Sequence, residues 1–184
     1  SKPNSSVVVG AKLVRDGIVD GFVSAGSTGA TVVASFLNLK MVPCIERMAL
    51  CAVADLNQPQ PTLIVDVGVN VNCKPIFLVQ FAQLANILAK QVLGIESPRV
   101  GLLNVGEEEV KGSTLAREAY QMLKKANLNF IGNVEGFDVL RGKADIIVTD
   151  GFTGNVLIKT IEGYSEVVQE LLELGEMAQI DRYL

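Results

Sequence analysis

A chain of 184 residues with 49% hydrophobic side chains can bury a sizeable core, the material of about one to one and a half domains. Its 17 glycines are too few for a fibrous or low-complexity segment, and it has no apolar run of the roughly 18 residues that span a bilayer. Sixteen basic residues against twenty acidic ones give a net charge of −4, and the scatter of the basic ones along the chain argues against a nucleic-acid surface.

The opening residues Ser1-Lys2-Pro3-Asn4 carry neither a signal-peptide pattern nor an initiator Met. Val7, Val8, Ala11, Leu13 and Val14 then recur near helical spacing, with Ser5 and Ser6 as candidate caps and Gly17 as the stop. A short extended run follows from Gly21 to Ala25, then the turn Gly26-Ser27-Thr28-Gly29 and a second helix from Ala30 to Leu39. Met48 to Ala54 and Thr62 to Val67 read as strands, the second continuously apolar as a strand buried on both faces must be. Asn57 to Pro61 is the loop between them.

From Pro75, the apolar residues Leu78, Phe81, Ala82, Ala85, Leu88, Ala89 and Val92 keep three-and-four spacing until Gly94, which predicts an amphipathic helix. The alternation continues with a strand over Arg99–Val105, a helix over Ser113–Ala126 and a strand over Asn129–Val134. A short turn or helix near Phe137–Arg141, a strand over Ala144–Thr149 and a helix over Thr153–Leu174 complete it. Strands alternating with helices predict right-handed βαβ units and an α/β domain with a mostly parallel sheet.

In such sheets ligands bind beyond the carboxyl ends of the strands, where helix N-termini and loop amides meet. The predicted ends are Ser24–Ala30, Asp66–Asn70, Asn104–Glu108, Gly132–Gly136 and Asp150–Asn155. Each sets Gly beside Asn, Asp, Ser or Thr. Any one of these turns is ordinary strand-to-helix chemistry; together they suit an anion, because Gly admits close backbone approach and successive amides form a cradle.

No GxxxxGK[ST] or G-x-G-x-x-G is present, so a nucleotide phosphate tail has no standard cradle. The chain has no His, which removes Ser-His-Asp and Cys-His nucleophile systems. Cys44, Cys51 and Cys73 lack CxxC spacing, leaving a zinc site unsupported and a reducing, cytoplasmic setting favoured. No metal or cofactor is expected. Lys74 follows the Asp66 turn and Lys111 the Asn104 turn, and a compact ammonium at either place suits a phosphate. Lys111, Arg117, Lys124 and Lys125 otherwise read as a solvated helix face.

The sequence blocks Lys2–Ser6, Ser24–Ala30, Asp66-Val67-Gly68-Val69-Asn70 with Lys74-Pro75, Gly101–Glu108 with Lys111-Gly112, Gly132–Gly136 and Asp150–Asn155 follow one another in the order of a known family. Over residues 1 to about 165 the chain resembles the bacterial phosphate acyltransferases of phospholipid synthesis, the PlsX family. The resemblance implies transfer of a long-chain fatty acyl group from acyl carrier protein to inorganic phosphate. It also implies an α/β/α homodimer similar in fold to isocitrate and isopropylmalate dehydrogenases and to phosphotransacetylases. Peripheral membrane attachment and a glycerol-phosphate acyltransferase partner belong to the same implication.

Carried over by position, the resemblance makes Lys74, Asn104 and Asn133 catalytic. Gly26, Ser27, Thr28, Gly29, Asn70, Lys111, Asp150 and Asn155 become phosphate or substrate contacts, with Asp66 and Asp150 also orienting their turns. Asn72 stands where the family usually has Asp, and Val69 where Ala is frequent. The family's first strand-turn and its last Gly- and His-containing loop have no counterpart, so the chain reads as the central part of a longer one, and no block of the family can be placed on residues 175–184. Leu157, Ile161, Tyr164, Val168, Leu171 and Leu172 form an apolar stripe beside Glu162, Glu166, Glu170 and Glu173, which reads as a core or dimer helix rather than a basic membrane helix. The rival readings are a short-chain phosphotransacetylase acting on acyl-coenzyme A, a dehydrogenase of the same superfold, and an inactive domain that binds carrier protein or a partner subunit.

Overall fold

The computed structural model describes residues 4–55 and 59–173. Lys2 and Pro3 of the opening block, Asn57 and Gln58 of the predicted loop, Leu174 and residues 175–184 lie outside the described residues.

Helix α1 (Ser6–Arg15) starts after Ser5 and stops at Gly17, whose φ of 68° fits the left-handed turn expected there. The run from Gly21 to Ala25 does not form the expected strand. It has no ladder partner among the described residues, Val23 is fully exposed, and the Phe22 ring lies against Gly10 of α1. An extended segment that pairs with nothing gains no sheet hydrogen bonds, so the turn at Gly26 connects two helices rather than ending a strand. Helix α2 (Thr28–Asn38) follows and packs on α1.

Strand β1 (Cys51–Ala54) pairs antiparallel with β2 (Thr62–Val65). Helix α3 (Pro75–Gln91), with Pro75 opening its first turn, leads to β3 (Arg99–Leu103). Helix α4 (Thr114–Leu123) begins where the Ser113 hydroxyl accepts the Ala116 N–H, and β4 (Asn129–Val134) has the bounds predicted for it. The one-turn α5 (Gly136–Val139) is set by a reciprocal cap between Glu135 and Asp138. Strand β5 (Ile146–Val148) and α6 (Gly151–Glu173) complete the order.

The sheet runs β1-β2-β5-β3-β4, parallel except for β1. Its central strands are buried on both faces. Leu63, Val65, Val100, Leu102, Ile146 and Val148 join the core under α3 and α4, while Ile64, Ile147 and Val134 join the core under α6. That two-sided burial, worth roughly 1.5–3 kcal/mol for each large side chain removed from water, explains the unbroken apolar run in β2. The α/β/α expectation therefore holds, with an antiparallel edge strand added. Only the first part of α6 packs on the sheet, through Leu157, Ile158 and Ile161. Farther along, Tyr164 and Leu172 are exposed while Leu171 is buried.

At the amino edge of the sheet, Arg99 donates to Asp145 through its backbone N–H (2.7 Å), Nε (3.0 Å) and Nη2 (2.7 Å). Burial raises the pKa of the Asp145 carboxyl, but these donors outweigh it and hold the group below the usual carboxylate range. A carboxyl with a lower pKa folded than unfolded binds fewer protons in the folded state. Its contribution is complete above the unfolded value near ~4 and drains away as pH falls through the folded one. Urea midpoints measured between neutral pH and strong acid should fall across that window, and Asp145→Asn should shrink the fall. An unchanged acid slope in the variant would remove Asp145 as a source.

Candidate active site

Strands β2, β3, β4 and β5 all point their carboxyl ends to one edge of the sheet. Directly after β2, Asp66 is fully buried and its carboxylate accepts four hydrogen bonds. Leu50 N–H (3.0 Å) and Val69 N–H (3.2 Å) donate to Oδ1, and Asn70 N–H (2.7 Å) and Nδ2 (2.8 Å) donate to Oδ2. Asn70 Nδ2 also donates to the Met48 carbonyl at 2.7 Å, so both its hydrogens are used inside the protein. One carboxylate thus ties the segment before β1 to the turn after β2.

Helix α6 is tied to the same turn. Gly151 N–H donates to the Asn70 carbonyl at 2.8 Å, and Asn155 Nδ2 to the Val67 carbonyl at 3.3 Å. Gly154 lies directly on the Asp66 carbonyl, where an added methyl would overlap the oxygen. Asp150 caps the helix: Oδ1 accepts Phe152 N–H (3.0 Å) and Thr153 N–H (2.9 Å), and Oδ2 accepts the Thr153 hydroxyl (2.7 Å). Asp66 and Asp150 therefore each hold a turn in place.

After β3, Asn104 folds over its own loop. Its Nδ2 donates to the Lys111 carbonyl at 3.1 Å and its Oδ1 accepts Val105 N–H at 2.9 Å. Gly112, at φ 85°, passes so close to this side chain that a Cβ there would collide with Oδ1. From β4, Asn133 Nδ2 donates to the Glu108 carbonyl at 2.9 Å, while its buried Oδ1 has no partner. Lys143 bonds Glu107 from the loop side and Asp138 of α5 at 2.9 Å. Lys124 reaches Glu109 at 3.2 Å, and Arg117 donates to the Gly112 carbonyl at 2.6 Å. The basic face of α4 therefore serves largely to tie this loop down.

Two clefts open on the strand-end edge. One, of about 260 Å³, lies between the end of β3 and the starts of α4 and α6, and brings Asn104 together with Asp150, Ser113 and Thr153. The other, of about 620 Å³, lies under α2 and brings Thr28 and Gly29 together with Gly68, Asn155 and Lys159. Gly26, Ser27, Lys74, Lys111 and Asn133 line neither of the two, and Asn70 lines a smaller groove of about 200 Å³ beside them, with Arg47, Met48 and Val69. Ser27 precedes α2 without a side-chain cap, and Gly26 N–H donates to Ser24 Oγ at 3.2 Å. Lys111 is exposed, 4.0 Å from Glu108.

Lys74 is the exposed cap residue of α3, and its Nζ stands 5.8 Å from the centre of the Phe77 ring. Arg47 stands at the same distance from that ring. Sequence reasoning missed Arg47 because it precedes a strand, whereas the site residues of a parallel sheet follow theirs; the antiparallel sense of β1 is what delivers it to this edge. Cys73 Sγ donates to the Asn70 carbonyl at 3.3 Å, and burial pushes its thiol up to about 11. Burial likewise pushes Cys51 up to about 11, so neither thiol offers a thiolate near neutral pH.

The family model described as fatty acid synthesis protein matches residues 1–179, so the likeness runs past residue 165 and includes residues 175–179, for which the sequence alone offers no counterpart. The chain is 51% identical over 174 residues to a phosphate acyltransferase of Dehalococcoides mccartyi, covering 95% of this chain and 50% of that protein. It is 48% identical over 173 residues to one of Nitratidesulfovibrio vulgaris, covering 94% and 50%. It spans about half the length of the curated relatives it matches. Its fold is similar to that of a phosphotransacetylase from Staphylococcus aureus, with a TM-score of 0.66 at 21% identity over 87% of this chain and 56% of that one.

Proposed function

The chain belongs to the fatty acid synthesis protein family, and from that membership we propose that the protein transfers a long-chain fatty acyl group from acyl carrier protein to inorganic phosphate, giving acyl phosphate for phospholipid synthesis. One observation carries this reading. Among the described residues the strand-end edge is rich in amides, hydroxyls and a lysine but holds no activated nucleophile: the sequence has no His, and burial keeps Cys51 and Cys73 protonated. Chemistry at such an edge needs a substrate that brings its own nucleophile. Phosphate does so, leaving the protein to position it and to stabilise the developing charge.

In the proposed step a phosphate oxygen attacks the acyl thioester carbonyl, the carbon–sulfur bond breaks, and the carrier's thiolate leaves and takes up a proton. Lys74 neutralises the phosphate or the oxyanion, with Asn104 and Asn133 as donors at neighbouring strand ends. Lys111, Asn155 and the Gly26–Gly29 turn contribute further contacts around the edge. A homodimer, a cytoplasmic location with peripheral attachment to a membrane, and hand-over to a glycerol-phosphate acyltransferase belong to the same proposal. Among the described residues no helix is long and apolar enough to cross a membrane.

Incubating the protein with acyl carrier protein loaded with a long chain, adding phosphate and trapping the product with hydroxylamine tests the reading. Lys74→Ala should cut hydroxamate formation roughly a hundred-fold, the scale seen when one oxyanion-stabilising donor is lost. Equal yield from the variant would remove Lys74 from the chemistry. Activity with short-chain acyl-coenzyme A in place of the loaded carrier would favour the phosphotransacetylase reading.

A further inference from the structure

Arg47 is an exposed cation in a segment held on both sides. Upstream, the buried Gln80 of α3 donates to the Cys44 carbonyl at 3.0 Å and accepts Glu46 N–H at 3.0 Å. Downstream, the Met48 carbonyl and Leu50 N–H are taken by Asn70 and Asp66. So held, Arg47 stands over the same Phe77 ring as Lys74, each 5.8 Å from its centre. Neither side chain has an ion pair or hydrogen bond among the described residues. Both cations border the one buried ring with no anionic partner among those residues, and a guanidinium fork and a compact ammonium are each suited to phosphate oxygens.

What adjoins Arg47 is largely apolar, with Asn70 beside it and Lys159 and Glu162 at the far end. Arg47 ends a groove walled by Val32, Val33, Phe36 and Val69, and Val32, Val33 and Val69 also wall the larger cleft that continues to Ile158. Val33 is 57% exposed and Phe36 54%, a cost that α2 carries with no covering element among the described residues. Charge at one end and an apolar trough leading away fit a single-chain amphiphile better than a free anion or an apolar ligand alone.

We infer that Arg47 and Lys74 hold the phosphate head of an alkyl or acyl phosphate whose chain lies along the α2 groove between Val33 and Val69. The inference rests on the acyl phosphate reading and gives it a direction: head at Phe77, tail toward Ile158. Arg47 is then a binding residue for the phosphorylated head, and the valine wall of α2 measures the chain.

Calorimetric titration of the protein with octyl, decyl and dodecyl phosphate below their micelle concentrations tests this. Affinity is expected to rise roughly fourfold per added methylene, as apolar burial dictates. Arg47→Gln should weaken all three ligands about tenfold and leave that slope intact. Val33→Asp, at an exposed position, should flatten the slope while leaving competition by inorganic phosphate unchanged. Wild-type affinity in Arg47→Gln, or a wild-type slope in Val33→Asp, overturns the inference. So does a Val33→Asp variant that changes oligomeric state with binding intact, because the groove would then cover a second copy. Hydroxylamine trapping beside the titrations separates the two ideas. Hydroxamate formation with none of these binding changes sinks only the groove, and the expected binding changes without hydroxamate sink only the acyltransferase reading.

Discussion

Gly154→Ala is expected to lower the stability of the protein by about 4 kcal/mol, whereas Gly163→Ala in the same helix should be neutral or slightly stabilising. A methyl at Gly154 would overlap the Asp66 carbonyl oxygen and come within 2.8 Å of Thr149 Cγ2. The obstacle is backbone and cannot swing aside. Relief requires α6 to lift from the sheet, which strains the packing and stretches Gly151 N–H to Asn70 and Asn155 Nδ2 to Val67. Overpacking of about 1–3 kcal/mol plus about 1 kcal/mol for each bond gives the figure, a large share of the roughly 5–15 kcal/mol typical of a domain. Around Gly163 nothing lies within 4 Å, so alanine there gains up to about 1 kcal/mol of helix propensity. Urea unfolding of the two variants reads the difference, and equal midpoints would refute the contact.

Asp66→Asn should cost about 3 kcal/mol although it changes neither volume nor shape. Each carboxylate oxygen accepts two donors, so whichever way an amide faces, its NH₂ confronts two N–H groups. Asn70 could turn its own oxygen toward the newcomer, but only by giving up the Met48 carbonyl. A buried polar group left without a partner costs roughly 1–3 kcal/mol. The damage should be local in a telling way, with hydrogen exchange rising first at Leu50, Val69 and Asn70. A variant as stable as the parent, with those amides still protected, would show that Asp66 does not organise the edge.

Much of this architecture is legible in residue order alone, for physical reasons that differ by element. Helix α3 announces itself because one face must be apolar at three-and-four spacing to cover a sheet. Strand β2 announces itself because burial on both faces leaves no room for polar alternation. Asp66 and Asp150 are legible as turn organisers, since carboxylates suit backbone N–H groups and repel phosphate. The Gly21–Ala25 run misleads because extended propensity does not supply a pairing partner. The division of the edge into two clefts is hidden too. It depends on which side of the sheet each helix covers, and nothing local in the Thr28 or Asn104 turns encodes that.

The direction of β1 has a consequence for how the chain can vary. Because Cys51 pairs with Val65 and Ala54 with Thr62, residues entering β1 arrive at the carboxyl edge of the parallel strands and residues leaving it depart at the far edge. The stretch from Cys44 to Leu50 is thus length-locked: one insertion there would pull Arg47 off Phe77, or the Leu50 amide off Asp66. Ala54 and its partner Thr62 stand at the opposite end of the sheet, so length added between them leaves the edge that carries Arg47 and Lys74 untouched. Insertions and deletions accumulated by descendants of this sequence belong on that far side.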